Sequence, residues 1–329
     1  MSAVNVALVG AGRIARVHAN AYRHVSRGGL VACIDPNEEA AAALARDFDL
    51  KVAPDFDALL SDDSVHALLI ASPNALHADQ TVAALAAGKH VFCQKPIALT
   101  LADADRVVAA AGKTDRVLQH GFMLRFTPPL SQLRDRVAGG ELGEMIASRA
   151  AVFGWEPTND WFYDPAQGGG VILDTLVHFA DLVLWLFGPA QSVHTEGGAY
   201  VLEGAKRHNS PDNATVTVRH ASGVVTSMYV TWTAGHGNFT FEVYGSGGSA
   251  AVDLVQAQAM RTFDRGGAGW GYPDLVWDYG YRGEQQYFVD RVAGRETGER
   301  AATAAQARDA LALVLAAQRA LDERRAVEL

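Results

Sequence analysis

The sequence predicts an α/β chain of two parts: a doubly wound parallel sheet over residues 1–122, then an α+β part with an open, mainly antiparallel sheet over residues 123–329. Three observations predict it. Short apolar runs alternate with helical patterns through the first part, which implies parallel strands joined by helical crossovers. The first turn is the glycine-rich "GAGRIA". Beyond Gly188 the pattern changes to period-two runs separated by tight turns, the mark of antiparallel hairpins.

In the first part, strands are expected at Val4–Val9, Leu30–Ile34, Ala67–Ala71, His90–Cys93 and Leu118–Phe122. Helices are expected at Ala11–Val25, Glu38–Phe48, Ala75–Ala87 and Leu101–Gly112. The turn Gly10–Ala15 follows a strand, opens a helix and is answered by Asp35 at the end of the next strand, 23 residues after Gly12. This is the Rossmann dinucleotide fingerprint in its GxGxxA form. Gly10 permits the tight turn, Gly12 leaves room for a pyrophosphate at the helix N-terminus, and Ala15 lets helix and strand pack closely. A carboxylate at Asp35 accepts from the adenine ribose hydroxyls and repels a 2′-phosphate, so NAD is expected and NADP is less favoured. Arg13 could partly offset that repulsion. Arg13 and Ile14 join Gly10, Gly12 and Asp35 as cofactor-binding candidates.

"ASPNALH", Ala71–His77, ends the third of these strands. Strand ends on the carboxyl side of such a sheet face the ligand crevice, so Ser72, Asn74 and His77 are candidates for the cofactor pocket. The structural alternative is that Asn74 caps the following helix. "HVFCQKPIALT" poses a sharper problem, because Lys95 follows the apolar run Val91–Cys93 and Pro96 follows at once. An ammonium resists desolvation, and the proline restricts the lysine to extended geometry. The sheet answers the problem: Lys95 is directed toward the crevice where a nicotinamide lies, as a candidate catalytic, cofactor-binding and substrate-binding residue.

The second part opens with a helix, Leu130–Ala138, and a strand, Met145–Phe153. The glycine run Gly168–Gly170 precedes a helix expected at Val171–Phe187, apolar almost all round and therefore buried. Asp174 and His178 interrupt it at i, i+4 spacing, which stacks them on one face. A carboxylate beside an imidazole fixes its tautomer or favours its protonated form, as a general base requires; a satisfied core Asp–His pair is the plainer alternative. Asp181 lies elsewhere on the turn and is assigned to packing. No third ligand with sensible spacing accompanies the pair, so no metal site is expected. Hairpins are expected over Ala214–Trp232 and Phe239–Leu254, and a closing helix over about Ala304–Arg324 behind the capping box Thr303–Gln306; this last helix could pack back toward the first part. Arg125, Trp155, Asn159, Asp160 and Trp161 are candidate substrate-shaping residues. The Gly- and aromatic-rich segment Arg261–Arg282 is either a substrate-facing loop or a subunit contact.

Composition bounds the function. A net charge of −9 argues against a nucleic-acid partner. No apolar run reaches the roughly 18 residues of a membrane span, and no basic segment precedes an apolar signal core. Cys33 and Cys93, the only cysteines, read as buried hydrophobes of a reducing cytoplasm.

Five motifs in order, "GAGRIARVHA", "ASPNALH", "FCQKPIA", "GFMLRF" and "GGGVILDTLVH", resemble the Gfo/Idh/MocA oxidoreductases, the glucose–fructose oxidoreductase and inositol dehydrogenase family. The family's lysine–proline motif usually has Glu where this chain has Gln94. The resemblance implies reversible hydride transfer between a substrate carbinol carbon and nicotinamide C4, on a cyclic polyol such as an inositol, or on a sugar. In that reaction His178, oriented by Asp174, is the expected general base, and Lys95 hydrogen-bonds the reacting oxygen. A homodimer or homotetramer is expected, the free sheet face meeting a partner subunit. The alternatives are an NAD-dependent glycosidase using transient hydride transfer, a trans-dihydrodiol-type dehydrogenase or imine reductase, and a nucleotide-binding regulator without turnover.

Overall fold

The computed structural model describes residues 3–154, 156–234, 238–254, 260–264, 269–272, 280–295 and 297–329, with the backbone alone at 260–264 and 269–272. Trp155 and most of the Arg261–Arg282 segment therefore lie outside the described side chains.

The chain begins β1 (Val4–Val9), α1 (Arg13–Tyr22), β2 (Gly28–Ile34), α2 (Glu38–Phe48), β3 (Lys51–Val52), α3 (Phe56–Ser61), β4 (Ala67–Ile70), α4 (His77–Ala86), β5 (His90–Cys93), α5 (Leu101–Ala111) and β6 (Leu118–His120). It continues α6 (Pro128–Ala138), β7 (Met145–Phe153), α7 (Val177–Phe187), β8 (Ala190–Gly198), α8 (Glu203–His208), β9 (Asn213–His220), β10 (Val225–Thr231), β11 (Asn238–Gly245), β12 (Gly248–Asp253), β13 (Met260–Asp264) and β14 (Gly269–Tyr272). It closes with α9 (Tyr281–Val292), α10 (Ala304–Glu323) and β15 (Val327–Glu328).

Two compact units result: residues 1–126 with 280–308, and residues 127–279 with 309–329. The first is thus discontinuous, taking in α9 as well as the contiguous N-terminal span. Its sheet has the order β3-β2-β1-β4-β5-β6, with every pairing parallel. That order, reversing between β1 and β4, opens a crevice at the carboxyl ends of those strands. Continuous apolar runs in β1, β4 and β5 are what a sheet covered on both faces demands. Val6, Leu8, Leu69 and Phe92 are fully buried, and Phe288 and Val289 of α9 pack into the same core.

The second unit is built on a nine-stranded sheet, order β14-β13-β12-β11-β7-β10-β9-β8-β15. It is antiparallel except for β7 and β10, which run parallel. One face is apolar: Ala150, Val216, Val230 and Phe241 are buried, and Phe179 of α7 meets Phe239 with ring centroids 4.8 Å apart. At the start of α10 the Thr303 hydroxyl accepts from Gln306 N–H while the Gln306 side chain accepts from Thr303 N–H, the capping box its sequence predicts.

Some boundaries differ from expectation. The expected helix at Ala75–Ala87 begins with a 3₁₀ turn, Asn74–Leu76, and Asn74 is buried with no side-chain cap at the start of α4. The expected helix Val171–Phe187 is unbroken, but it carries a π-helical turn at Ile172–Leu176 ahead of α7. The small elements β3 and α3 fall in a stretch too short for periodicity to show. Among the described residues no helix is long and apolar enough to cross a membrane.

Candidate active site

At the carboxyl edge of the first sheet, Gly10 has φ +105°, and a Cβ there would stand 2.6 Å from the Ala71 carbonyl oxygen. Only glycine fits that turn. A Cβ on Gly12 would meet nothing within 4 Å, so the backbone at the start of α1 is open to an approaching group. The helix N-terminus has no side-chain cap, which leaves its N–H groups for an anion. Arg13 is exposed and Ile14 half-buried at the first helical turn.

Asp35 ends β2. Its Oδ2 accepts from Ala11 N–H at 2.7 Å and its Oδ1 from Asn37 N–H at 2.8 Å, so the carboxylate locks the glycine turn. A carboxylate offers about four lone-pair positions, and two remain for ribose hydroxyls. The open Gly12 backbone, the uncapped helix start and this carboxylate together fit an NAD molecule.

The turns after β4 and β5 are tied together. His77 is buried, with Nδ1 2.8 Å from the Pro96 carbonyl oxygen and Nε2 2.9 Å from that of Ser72. The ring thus bridges two loops of the crevice edge, a positioning role. Ser72 is half-buried and donates to Gln80 Oε1 at 2.6 Å. Lys95 follows β5 as the one half-exposed side chain in the otherwise buried run Val91–Ala98, and its bond to Pro96 is cis.

Arg125, a candidate substrate-shaping residue, lies in the 3₁₀ turn Met123–Phe126 after β6. It is buried, and its guanidinium donates to Gln306 Oε1 at 3.1 Å, binding the turn after β6 to the start of α10.

In the second unit, Asp174, Thr175 and His178 are the only half-buried side chains between Val171 and Val183; all others in that span are buried. They form one polar stripe along a buried helix, and Asp181 is among the buried. Asp174 and Thr175 lie in the π-helical turn; such single turns recur at functional sites. Thr175 Oγ1 accepts from the Trp232 indole N–H at 2.9 Å and stands 3.5 Å from Asp174 Oδ2. Neither Thr175 nor Trp232 stands out in the sequence; a hydroxyl between the candidates Asp174 and His178 is the one signal for Thr175.

Asn159 and Asp160 are exposed and Trp161 half-buried, Trp161 stacking on Phe162 at 3.8 Å. A Cβ on Gly168 would lie 2.5 Å from Phe162 Cα, so this segment packs tightly on the glycine run. Asp160 accepts from Arg207 at 2.8 Å and lies 2.9 Å from His208 Nε2, and these bonds, His208 first, hold its carboxyl below the usual range. Among the described residues no group of three His, Cys, Asp or Glu is placed to hold a metal.

Two family models match the chain: an oxidoreductase family with an NAD-binding Rossmann fold on residues 4–122, and the GFO/IDH/MocA C-terminal domain on residues 130–251. A 1,5-anhydro-D-fructose reductase of Ensifer adhaerens is 34% identical over 257 residues, 76% of each chain. The chain belongs to the GFO/IDH/MocA oxidoreductase family. It is an oxidoreductase with an NAD-binding Rossmann domain. A myo-inositol 2-dehydrogenase of Thermotoga maritima is 29% identical to this GFO/IDH/MocA protein over 99% of this chain and 98% of its own. The crystal structure of GenD2 from gentamicin A biosynthesis, in complex with NAD, superposes with a TM-score of 0.88 at 28% identity, covering 100% of this chain and 97% of that one.

Proposed function

We propose that this protein is an NAD-dependent dehydrogenase that oxidises a secondary alcohol of a cyclic polyol or sugar, reversibly. The observation that carries the reading is Lys95: a half-exposed ammonium on the same carboxyl edge of the same sheet as the open Gly12 turn and Asp35. When bound, NAD supplies the hydride acceptor at nicotinamide C4. Gly10, Gly12, Arg13, Ile14, Asp35, Ser72 and Asn74 hold it, with His77 fixing two of the loops. NADP is disfavoured by the Asp35 charge.

Lys95 donates a hydrogen bond to the substrate oxygen and stabilises the negative charge that develops there as the proton leaves. His178 accepts that proton, its ring oriented by Asp174, and Thr175 and Trp232 fix the carboxylate in turn. Asn159, Asp160 and Trp161 offer hydroxyl partners and an apolar face to a ring. The substrate class is supported by the names of the relatives, a reductase of an anhydro-sugar and an inositol dehydrogenase. A panel of inositols, aldoses and glycosides tests it by NADH absorbance. Steady NADH with a free polyol or sugar is expected; release of sugar from a glycoside without NADH overturns it.

The protein is proposed to be a homodimer or homotetramer in the cytoplasm. The sheet face opposite α7 supports this, because Tyr229 and Tyr244 stand 38% and 42% exposed on it. A monomer by light scattering overturns the assembly.

A further inference from the structure

We propose that Gln94 is the positioning residue of Lys95: an uncharged amide, clamped to His18, that fixes where the lysine stands and does so without a titrating contact. The inference rests on the role given to Lys95 above.

Gln94 is held from three directions. Its backbone N–H donates to the Ile70 carbonyl at 2.9 Å. Its side chain is 5% exposed, with Nε2 2.6 Å from His18 Nε2. On its other side lies Gly121, where a Cβ would stand 2.7 Å from Gln94 Nε2. Lys95 is the next residue, at the bend beyond β5 and half-exposed, so anchoring Gln94 fixes the backbone from which the lysine projects.

The clamp is uncharged. His18 is fully buried, edge-on to Phe92 and Tyr281 at 5.3 and 5.4 Å, and burial pushes its imidazole down to about 3. A neutral ring has one donor and one acceptor nitrogen. Gln94 donates to Nε2, so Nδ1 carries the proton, faced at 3.1 Å by the Gln285 amide, whose oxygen and nitrogen exchange places by rotation. Glu284 on α9 faces the cluster with Oε1 4.0 Å from His18 Nδ1. Tyr22 on α1 is held protonated, raised first by burial and then by Glu284. Cys93, one residue before Gln94, is pushed up by burial to about 12. Gln94, His18 and the Cys93 thiol thus keep one charge state across the working pH range.

A carboxylate at position 94 makes the opposite arrangement. Facing Nε2 at 2.6 Å, it donates only while protonated; once ionised it can only accept, so His18 must change tautomer to place its proton on Nε2, and a charge that titrates then stands beside the lysine. Gln94→Glu is the test, read by Lys95 acetylation rate (acetic anhydride, peptide mass spectrometry) and by turnover from pH 5.5 to 9. The variant is expected to match the wild type near pH 5.5. By pH 9 its kcat, relative to wild type, falls at least tenfold, its relative Lys95 labelling rate changes at least threefold, and its NAD affinity stays within threefold. Gln94→Leu, which lacks the donor, loses about tenfold in kcat with no new pH dependence. Ratios that stay constant with pH in Gln94→Glu, together with full activity in Gln94→Leu, overturn the inference. Turnover that survives Lys95→Met overturns the dehydrogenase roles instead, and the labelling profile still decides the Gln94 contact.

Discussion

Replacing Asp35 by Asn separates the two jobs its carboxylate holds. Both oxygens accept backbone N–H groups, Ala11 at 2.7 Å and Asn37 at 2.8 Å. An amide has one oxygen, so one of those N–H groups must face an NH₂ donor. Losing one hydrogen bond to a charged acceptor costs about 1.5–3 kcal/mol, which lowers stability and loosens the glycine turn. The charge also vanishes. A carboxylate roughly 5 Å from a 2′-phosphate repels each unit of its charge by about 1–3 kcal/mol at effective dielectrics of about 80 to 20. The preference for NAD over NADP should therefore fall about 10- to 100-fold. Kinetics with each cofactor give the ratio of kcat/KM, and thermal unfolding gives the stability loss. A ratio unchanged within twofold, or a wild type that uses both cofactors equally, refutes the role of Asp35.

Acid should unfold the protein early: burial lowers His18 to about 3, and His120 to about 3 with His77 adding to it, so below the unfolded value of about 6.5 the unfolded chain takes up protons that the folded one refuses. Each ring's contribution is whole above that value and is lost by about 1.4 kcal/mol per pH unit as pH falls toward 3; urea midpoints that stay flat from pH 7 to 4.5 contradict this. Trp232→Phe removes the donor to Thr175 and should cost about 1 kcal/mol with a severalfold drop in kcat; unchanged kcat with lowered stability would make that bond structural only.

Much of this was legible in the sequence, because periodicity and chain direction carry it. The Gly10–Asp35 relation and the span of β5 follow from local pattern, and the structure has both in place. What local pattern cannot show is a partner far along the chain. His18 sits in a helix that reads as ordinary, and its meeting with Gln94 and Gln285 joins residues 76 and 267 positions away. Arg125 reads as a substrate-shaping candidate, and nothing near it in the chain shows that its guanidinium also donates to Gln306, 181 residues on. The π-helical turn at Asp174 was equally hidden, since its apolar surroundings suit either helix type.

Turnover by Lys95→Met and His178→Ala, each with NAD bound to the same extent as wild type, tests the central claim most directly. Each variant should lose on the order of 10²- to 10⁴-fold in the rate of NADH formation. A loss of only a few-fold in either one contradicts the account.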